Sequence, residues 1–188
     1  MDLGPVDRIT ADAIGDPGMR TFFLQARAGE LTVTVIVEKQ QVQLLATSVL
    51  ELLADLELRT GTGPGDDEMA LEEPVEPRWR AGRMSIGYDA DLDRFLLEVT
   101  EFEPDEGDDE DEDEDGDTDE EDEDPRSPMD GEPETIRLWA TREQMLALSR
   151  YGSAVAERGR PLCQLCGNPM DPEGHTCPAT NGHRKPRA

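Results

Sequence analysis

The feature that most constrains how this chain can fold is an acidic run late in the sequence. Of the 22 residues in 103–124, 18 are Asp or Glu and none is Lys or Arg. Like charges at this density repel one another, and the run offers no apolar side chain for burial. We therefore expect a disordered insertion that the fold tolerates, because loop-closure entropy grows only logarithmically with length.

The acidic run also explains most of the net charge of −27. The rest of the chain has 27 acidic and 18 basic side chains, which is ordinary for a globular protein. Its length predicts one α+β domain over 1–158 and a small tail over 159–188. The run itself is compatible with a nucleic-acid mimic, a weak divalent-ion buffer or a contact for a basic protein, but a solvated insertion fits its composition best.

Several classes of protein are excluded by what the sequence lacks. The first residues contain no basic and apolar leader, and no apolar stretch approaches the roughly 20 residues that cross a bilayer. The three cysteines all fall in the last 26 residues, which does not make a disulfide framework. These features predict a cytoplasmic protein that does not contact the membrane.

Hydrophobic periodicity predicts six strands and two amphipathic helices. The strands are expected at 6–14, 21–27, 31–38, 83–88, 94–102 and 135–140, and the helices at 40–58 and 141–157. Thr141 and Gln144 have the spacing of an N-terminal capping box. The pattern predicts an α+β fold in which antiparallel sheet packs against two helices.

The predicted order of strands and helices also suggests a βββα unit that occurs twice. With an offset of 103 residues, Val33 matches Ile136, Gln41 matches Gln144 and Leu45 matches Leu148. The match is short, so both an internal duplication and a chance similarity remain open.

The tail carries the clearest chemical signal, with the spacing C-x2-C-x8-H-x-C. Cys163 and Cys166 are separated by two residues and can point at one ion, and Gly167 permits the tight turn of a metal knuckle. His175 and Cys177 supply two further ligands. Sulfur ligands with one imidazole favour tetrahedral Zn²⁺, and four protein ligands predict a structural site.

Other interpretations of the tail stay open at this point. His183 is a possible replacement for His175, because the H-x-C spacing is unusually tight. A redox CxxC pair or unmetallated thiols are alternatives, although a redox pair prefers to open a helix and Pro161 precedes this one. Basic residues flank the knuckle and suggest nucleic-acid binding, namely Arg158, Arg160, Arg184, Lys185 and Arg187. They form a weak patch without a stacking aromatic, so a metal-stapled tail or a protein contact is favoured.

The sequence offers little catalytic machinery. Both histidines lie in the tail, which excludes a Ser-His-Asp or Cys-His arrangement within the domain. Three aspartates near a predicted hairpin are best explained as turn carboxylates, namely Asp89, Asp91 and Asp93. Three arginines form a possible surface for a phosphate or carboxylate, namely Arg78, Arg80 and Arg83, but a strand entrance with Trp79 half in the core is the simpler explanation.

Three segments resemble a known family. They are TFFLQAR at 21–27, VEKQQVQLL at 37–45 and GRPLCQLCGNPMDPEGHTCPATNGH at 159–183. They are similar to an actinobacterial family of uncharacterised proteins, a domain of unknown function. The resemblance implies the metal ligands Cys163, Cys166, His175 and Cys177, and it argues against His183, where relatives commonly carry Tyr. It also implies a shared pathway with a histidine-phosphatase-like and a lipid-kinase-like protein, whose genes accompany the family.

Together these features predict a non-catalytic protein with a structural zinc site that binds a partner protein or a small ligand. The alternatives are a nucleic-acid-binding regulator that uses the basic tail and an enzyme that uses the arginine-lined surface. The sequence specifies neither the partner nor the oligomeric state.

Overall fold

The computed structural model describes residues 1–104, 132–159, 163–168, 170 and 175–180. Most of the acidic run, from residue 105 onward, lies outside this part of the chain, so its expected disorder stays a prediction. His183 and most of the basic residues of the tail lie outside it too.

Within the described residues the chain forms seven strands and two helices, which confirms the α+β class. The strands are β1 (Asp2–Leu3), β2 (Arg8–Ile14), β3 (Thr21–Ala28), β4 (Leu31–Val37), β5 (Pro77–Asp89), β6 (Arg94–Glu101) and β7 (Thr135–Ala140). The helices are α1 (Lys39–Asp55) and α2 (Arg142–Glu157). Short 3-10 turns occupy Asp66–Glu68 and Pro178–Thr180. Neither helix is long and apolar enough to cross a membrane.

The strands form one mixed sheet in the order β1-β7-β6-β5-β4-β3-β2. Most neighbours are antiparallel, as the sequence predicts, but β1 with β7 and β4 with β5 are parallel. The parallel pair β4–β5 follows from the crossover through α1, which returns the chain in the same direction. Strand β5 begins at Pro77, six residues before the expected start.

The N-terminal segment joins the two ends of this sheet. Strand β1 pairs with β7, and β2 pairs with β3 at the opposite end of the strand order. Between them, the backbone N–H of Val6 donates to the carbonyl of Trp139 at 2.8 Å, and that of Asp7 donates to the carbonyl of Arg27 at 2.8 Å. Because this one segment is hydrogen-bonded to β7 on one side and to β3 on the other, the strands close into a barrel.

The two halves of the barrel repeat the same pairing. Leu24 of β3 pairs with Val35 of β4, and Leu97 of β6 pairs with Leu138 of β7. Equivalent residues are 73 positions apart in β3 and β6, 103 apart in β4 and β7, and 75 apart in β2 and β5. The parallel pair β4–β5 likewise corresponds to β7–β1. The βββα repeat suggested by the sequence is therefore present in the structure, with an approximate two-fold axis through the barrel.

One core lies between the inward face of the sheet and the two helices. It includes apolar side chains of both helices and of strands from both halves, among them Val49, Leu97, Leu138, Met145 and Leu148. Helices α1 and α2 pack against each other, and Gly152 permits a close approach, since a Cβ there would lie 3.0 Å from Val42 Cγ1.

Equivalent glutamines fix the start of each helix. Gln144 accepts from the backbone N–H of Thr141 at 2.8 Å, and Thr141 is the N-cap of α2, as the sequence predicts. The Nε2 group of Gln144 also donates to the carbonyls of Val6 and Asp7 at 2.9 and 3.0 Å. Gln41 repeats this arrangement in α1, with the carbonyls of Ala81 and Gly82 as acceptors. Each helix is thus attached to the strand that opens the other half.

Candidate metal centre

The four tail residues singled out in the sequence lie together in the structure. The ligand atoms of Cys163, Cys166, His175 and Cys177 are all within 4.8 Å of one another. Cys163 Sγ is 3.8 Å from Cys177 Sγ, and Cys166 Sγ is 3.2 Å from His175 Nε2. Cys163 and Cys177 are buried, whereas the other two side chains are partly exposed. None of the three cysteines forms a disulfide bond with another described residue.

A tight turn brings the first two cysteines to the same side. Gly167 has φ +74°, as expected for the glycine of a metal knuckle. Its N–H donates to the carbonyl of Cys163 at 2.8 Å, while the N–H of Cys163 donates to the carbonyl of Asn168 at 2.8 Å. The backbone N–H groups of Leu165 and Cys166 face the sulfur of Cys163 and lower the pKa of that thiol. The turn therefore favours the thiolate of Cys163, and the thiolate is the form that binds metals.

Two of the separations between the ligand atoms suit a tetrahedral metal ion. Sulfur atoms about 2.3 Å from a tetrahedral Zn²⁺ lie about 3.8 Å apart, and a sulfur and an imidazole nitrogen lie about 3.5 Å apart. The observed separations of 3.8 and 3.2 Å are close to these values. A disulfide needs about 2.05 Å between its sulfurs. This Cys₃His cluster can therefore hold a metal ion.

The surroundings of the cluster differ from those of a redox dithiol. A redox CxxC pair has its first cysteine at the N-terminus of a helix, where the helix dipole lowers the pKa of the thiol. Here Cys163 and Cys166 come after the end of α2 and lie in a turn.

The predicted arginine surface is largely neutralised by neighbouring carboxylates. Arg78 lies 3.2 Å from Glu134 Oε2, and Trp79 Nε1 donates to the same oxygen at 3.1 Å. Arg80 forms an ion pair with Glu38. Trp79 is partly buried, in keeping with the strand-entrance explanation. These residues do not form a continuous patch of free cations.

Two of the three aspartates of the β5–β6 hairpin, Asp89 and Asp93, have different roles. Asp89 accepts from the backbone N–H groups of Asp91 and Leu92 at 2.9 Å each, so it is a turn carboxylate, as expected. Asp93 instead accepts from the hydroxyl of Tyr88 and from Arg142, which lies 3.0 Å away.

The hydrogen bond from Tyr88, and then the charge of Arg142, lower the pKa of the Asp93 carboxyl. The same hydrogen bond raises the pKa of Tyr88. Sequence reasoning missed the pair between Asp93 and Arg142, because its members are 49 residues apart and belong to different elements.

Fold and cluster together define an α+β barrel protein with a C-terminal Cys₃His cluster. Its sequence matches the family described as "Protein of unknown function (DUF3090)" over residues 1–177, and the chain belongs to this family. The matched range includes both repeats and all four cluster residues, which confirms the resemblance seen in the sequence. No curated protein and no solved structure matches the chain.

Proposed function

We propose that this chain is a non-catalytic binding protein whose C-terminal segment is held by a structural zinc ion. The observation that carries the proposal is the grouping of four ligand atoms within 4.8 Å of one another, above all the 3.8 Å between Cys163 Sγ and Cys177 Sγ. Three thiolates and one imidazole form a donor set that suits Zn²⁺ better than hard cations, which prefer oxygen ligands.

A structural role fits the donor set better than a catalytic one. Catalytic zinc sites keep one position open for water or substrate, whereas four protein ligands fill the tetrahedron. If His175 binds the metal, no histidine of the described residues is left for acid–base chemistry.

The metal would supply folding energy to a segment that has little of its own. The tail is far too short to bury an apolar core, and segments of this kind fold by coordinating a metal. Cys163 and Cys177 do not belong to the core of the barrel. Zinc binding would therefore order the residues that follow α2 without being needed for the barrel itself.

Partner binding by the ordered tail is supported by Leu165. This side chain sits in the knuckle between Cys163 and Cys166 and is 67% exposed. An apolar side chain presented on a rigid turn suits a protein contact. The described residues give no support to the nucleic-acid alternative. Of the basic residues that flank the knuckle, the structure describes Arg158, which lies over the ring of Tyr151, 5.7 Å from its centroid.

Elemental analysis of the purified full-length chain tests the metal site. We expect about one zinc per chain and, after replacement by Co²⁺, the absorption bands of a tetrahedral sulfur–nitrogen site. Cys163→Ser, Cys177→Ser and His175→Ala should each lose the metal, whereas the matched control His183→Ala should keep it. Full zinc occupancy in Cys163→Ser, or loss in His183→Ala but not in His175→Ala, would overturn the ligand assignment.

A pull-down compares the full chain, a chain that lacks 159–188 and the variant Leu165→Gln. We expect partner recovery to fall in both altered proteins, while zinc content stays unchanged in Leu165→Gln. Equal recovery from all three would exclude a binding role for the tail.

A further inference from the structure

A cavity of about 450 Å³ lies beside the first repeat, and its lining includes none of the four residues of the metal cluster. The turn before β3, the start of α1, an inner part of β5 and the end of α2 meet around it. Its lining includes the side chains of Arg20, Phe22, Glu38, Lys39 and Arg80. Its volume falls within the range of about 300–1,000 Å³ that is typical of small-molecule sites.

The charges around the cavity are not balanced. Arg80 forms an ion pair with Glu38, so these two side chains neutralise each other. Arg20 and Lys39 form no ion pair with any residue that the structure describes. Two positive charges therefore face one cavity in a protein whose net charge is −27. Like charges brought together are unfavourable unless an anion lies between them.

The second repeat has a different pair of charged side chains at the equivalent position. Arg20 directly precedes β3, as Asp93 directly precedes β6, and Lys39 is the first residue of α1, as Arg142 is of α2. In the second repeat, Arg142 lies 3.0 Å from the carboxylate of Asp93. The first repeat has two cations where the second has a cation and a carboxylate. The second repeat thus supplies its own anion, and the first does not.

The same comparison shows a smaller side chain beside Phe22 in the first repeat. In the second repeat Tyr88 pairs with Phe95, and the two rings pack edge to face with centroids 5.2 Å apart. The equivalent pair in the first repeat is Ala13 with Phe22. A methyl group replaces the phenol ring, and Phe22 remains as an apolar wall of the cavity.

We propose that this cavity binds a small phosphorylated metabolite, with the phosphate group between Arg20 and Lys39. Two free positive charges match a phosphate monoester, which carries a charge of about −1.5 to −2 at neutral pH, whereas a carboxylate balances only one. Arginine offers paired N–H donors to phosphate oxygens, and lysine adds a mobile point charge. The cavity exceeds a bare phosphate ion, and Phe22 provides an apolar surface for the organic part. The proposal does not depend on the metal site.

Phenyl phosphate is a suitable probe, because it combines the dianion with an apolar ring. The full-length, zinc-loaded chain is titrated with phenyl phosphate, inorganic phosphate and benzoate by calorimetry at constant ionic strength. We expect saturable binding in the order phenyl phosphate, phosphate, benzoate. Arg20→Gln and Lys39→Gln should each weaken phenyl phosphate binding about tenfold or more. Arg20→Asp, which recreates the carboxylate of the second repeat, should abolish it.

Arg150→Gln is the matched control, since Arg150 is exposed on α2 outside the cavity and its loss removes the same charge. It should leave the affinity unchanged. Absence of saturable phenyl phosphate binding would overturn the proposal, and so would an equal loss in Arg150→Gln and Lys39→Gln. Benzoate bound as tightly as phenyl phosphate would refute the preference for phosphate. Lys39 is exposed, so Lys39→Gln should fold normally and report on the site if Arg20→Gln melts early.

Discussion

Ser149 Oγ donates a 2.7 Å hydrogen bond to the carbonyl oxygen of Ala46, and the two residues are 103 positions apart. The same offset relates β4 to β7, so Ala46 and Ser149 occupy equivalent places in the two repeats. Their contact marks the point where the approximate two-fold axis passes between α1 and α2. Both residues are buried there.

Ser149→Ala should lower the free energy of unfolding by about 1 kcal/mol, because it removes one buried hydrogen bond with little change in volume. Urea denaturation measures the difference. Ser153→Ala on the same helix is the control, since Ser153 is only partly buried and should change stability little. Equal effects of the two substitutions would show that the contact with Ala46 does not stabilise the helix pair.

The repeat predicts that Gln41 and Gln144 contribute equally. Each side chain accepts from its N-cap and donates to two carbonyls of the opposite repeat. Gln41→Ala and Gln144→Ala should each cost about 1–3 kcal/mol, with values that agree within about 1 kcal/mol.

Gln41→Glu and Gln144→Glu distinguish the hydrogen bond to the N-cap from the hydrogen bonds to the carbonyls of the opposite repeat. Glutamate keeps the acceptor for the N-cap but loses the donors to the carbonyls, so it should destabilise the protein by a similar amount. Strongly unequal losses at the two positions would contradict their equivalence. The measurement is the same urea titration.

Asp93 should make the stability of the second repeat dependent on pH. The hydrogen bond from Tyr88 and the charge of Arg142 lower the pKa of its carboxyl in the folded state. A lowered pKa means that the stabilisation is complete above the ordinary carboxyl range of about pH 4 and is lost as the pH falls through the folded-state pKa. Asp93→Asn should remove this part of the acid dependence.

NMR titration of the Asp93 carboxyl measures the shift directly. Tyr88→Phe and Arg142→Gln should each raise the pKa of Asp93, because the hydrogen bond from Tyr88 and the charge and hydrogen bond of Arg142 all lower it. A pKa of Asp93 that is insensitive to both substitutions would contradict this explanation.

Removal of the metal should loosen the tail and spare the barrel. With a chelator at neutral pH, residues 163–180 should become sensitive to proteases, while the main melting transition changes little, since Cys163 and Cys177 lie outside the barrel core. Acid should have the same effect, because protons compete with the metal for thiolates and imidazole. Cys163→Ser should respond to neither treatment. A large loss of barrel stability with the chelator would contradict this division.

The sequence predicted the bounds of an element best where residues a few positions apart determine them. Strand β7 has the expected bounds, and Thr141 and Gln144 cap α2 as expected, because capping depends on residues three positions apart. The start of β5 was missed, since Pro77–Arg80 alternates charged residues with Trp79 and its pairing to β4 is long-range. The same limit applies to barrel closure, which needs the contact of Val6 with Trp139, more than a hundred positions away.

The candidate metal centre was predictable because its ligands are close in sequence and their spacing is typical of a metal site. The cavity between Arg20 and Lys39 was not predictable, because no spacing pattern in the sequence links these two residues. Only the register of the two repeats shows that Arg20 stands where Asp93 stands in the other half.

The acidic segment should be dispensable for the fold, because the strands on either side of it already meet. Thr100 pairs with Thr135, and the N–H of Glu101 donates to the carbonyl of Glu134 at 2.8 Å. Replacing residues 105–131 with a short Gly/Ser linker should leave zinc content unchanged and stabilise the protein by about 1 kcal/mol, as expected for a shorter loop. Thermal melting and elemental analysis measure both quantities. A variant in which Asn and Gln replace the acidic residues of 105–131 keeps the length of this segment, so it distinguishes the effect of charge from the effect of length. A lower melting temperature in both altered chains would show that the acidic side chains contribute to the folded structure.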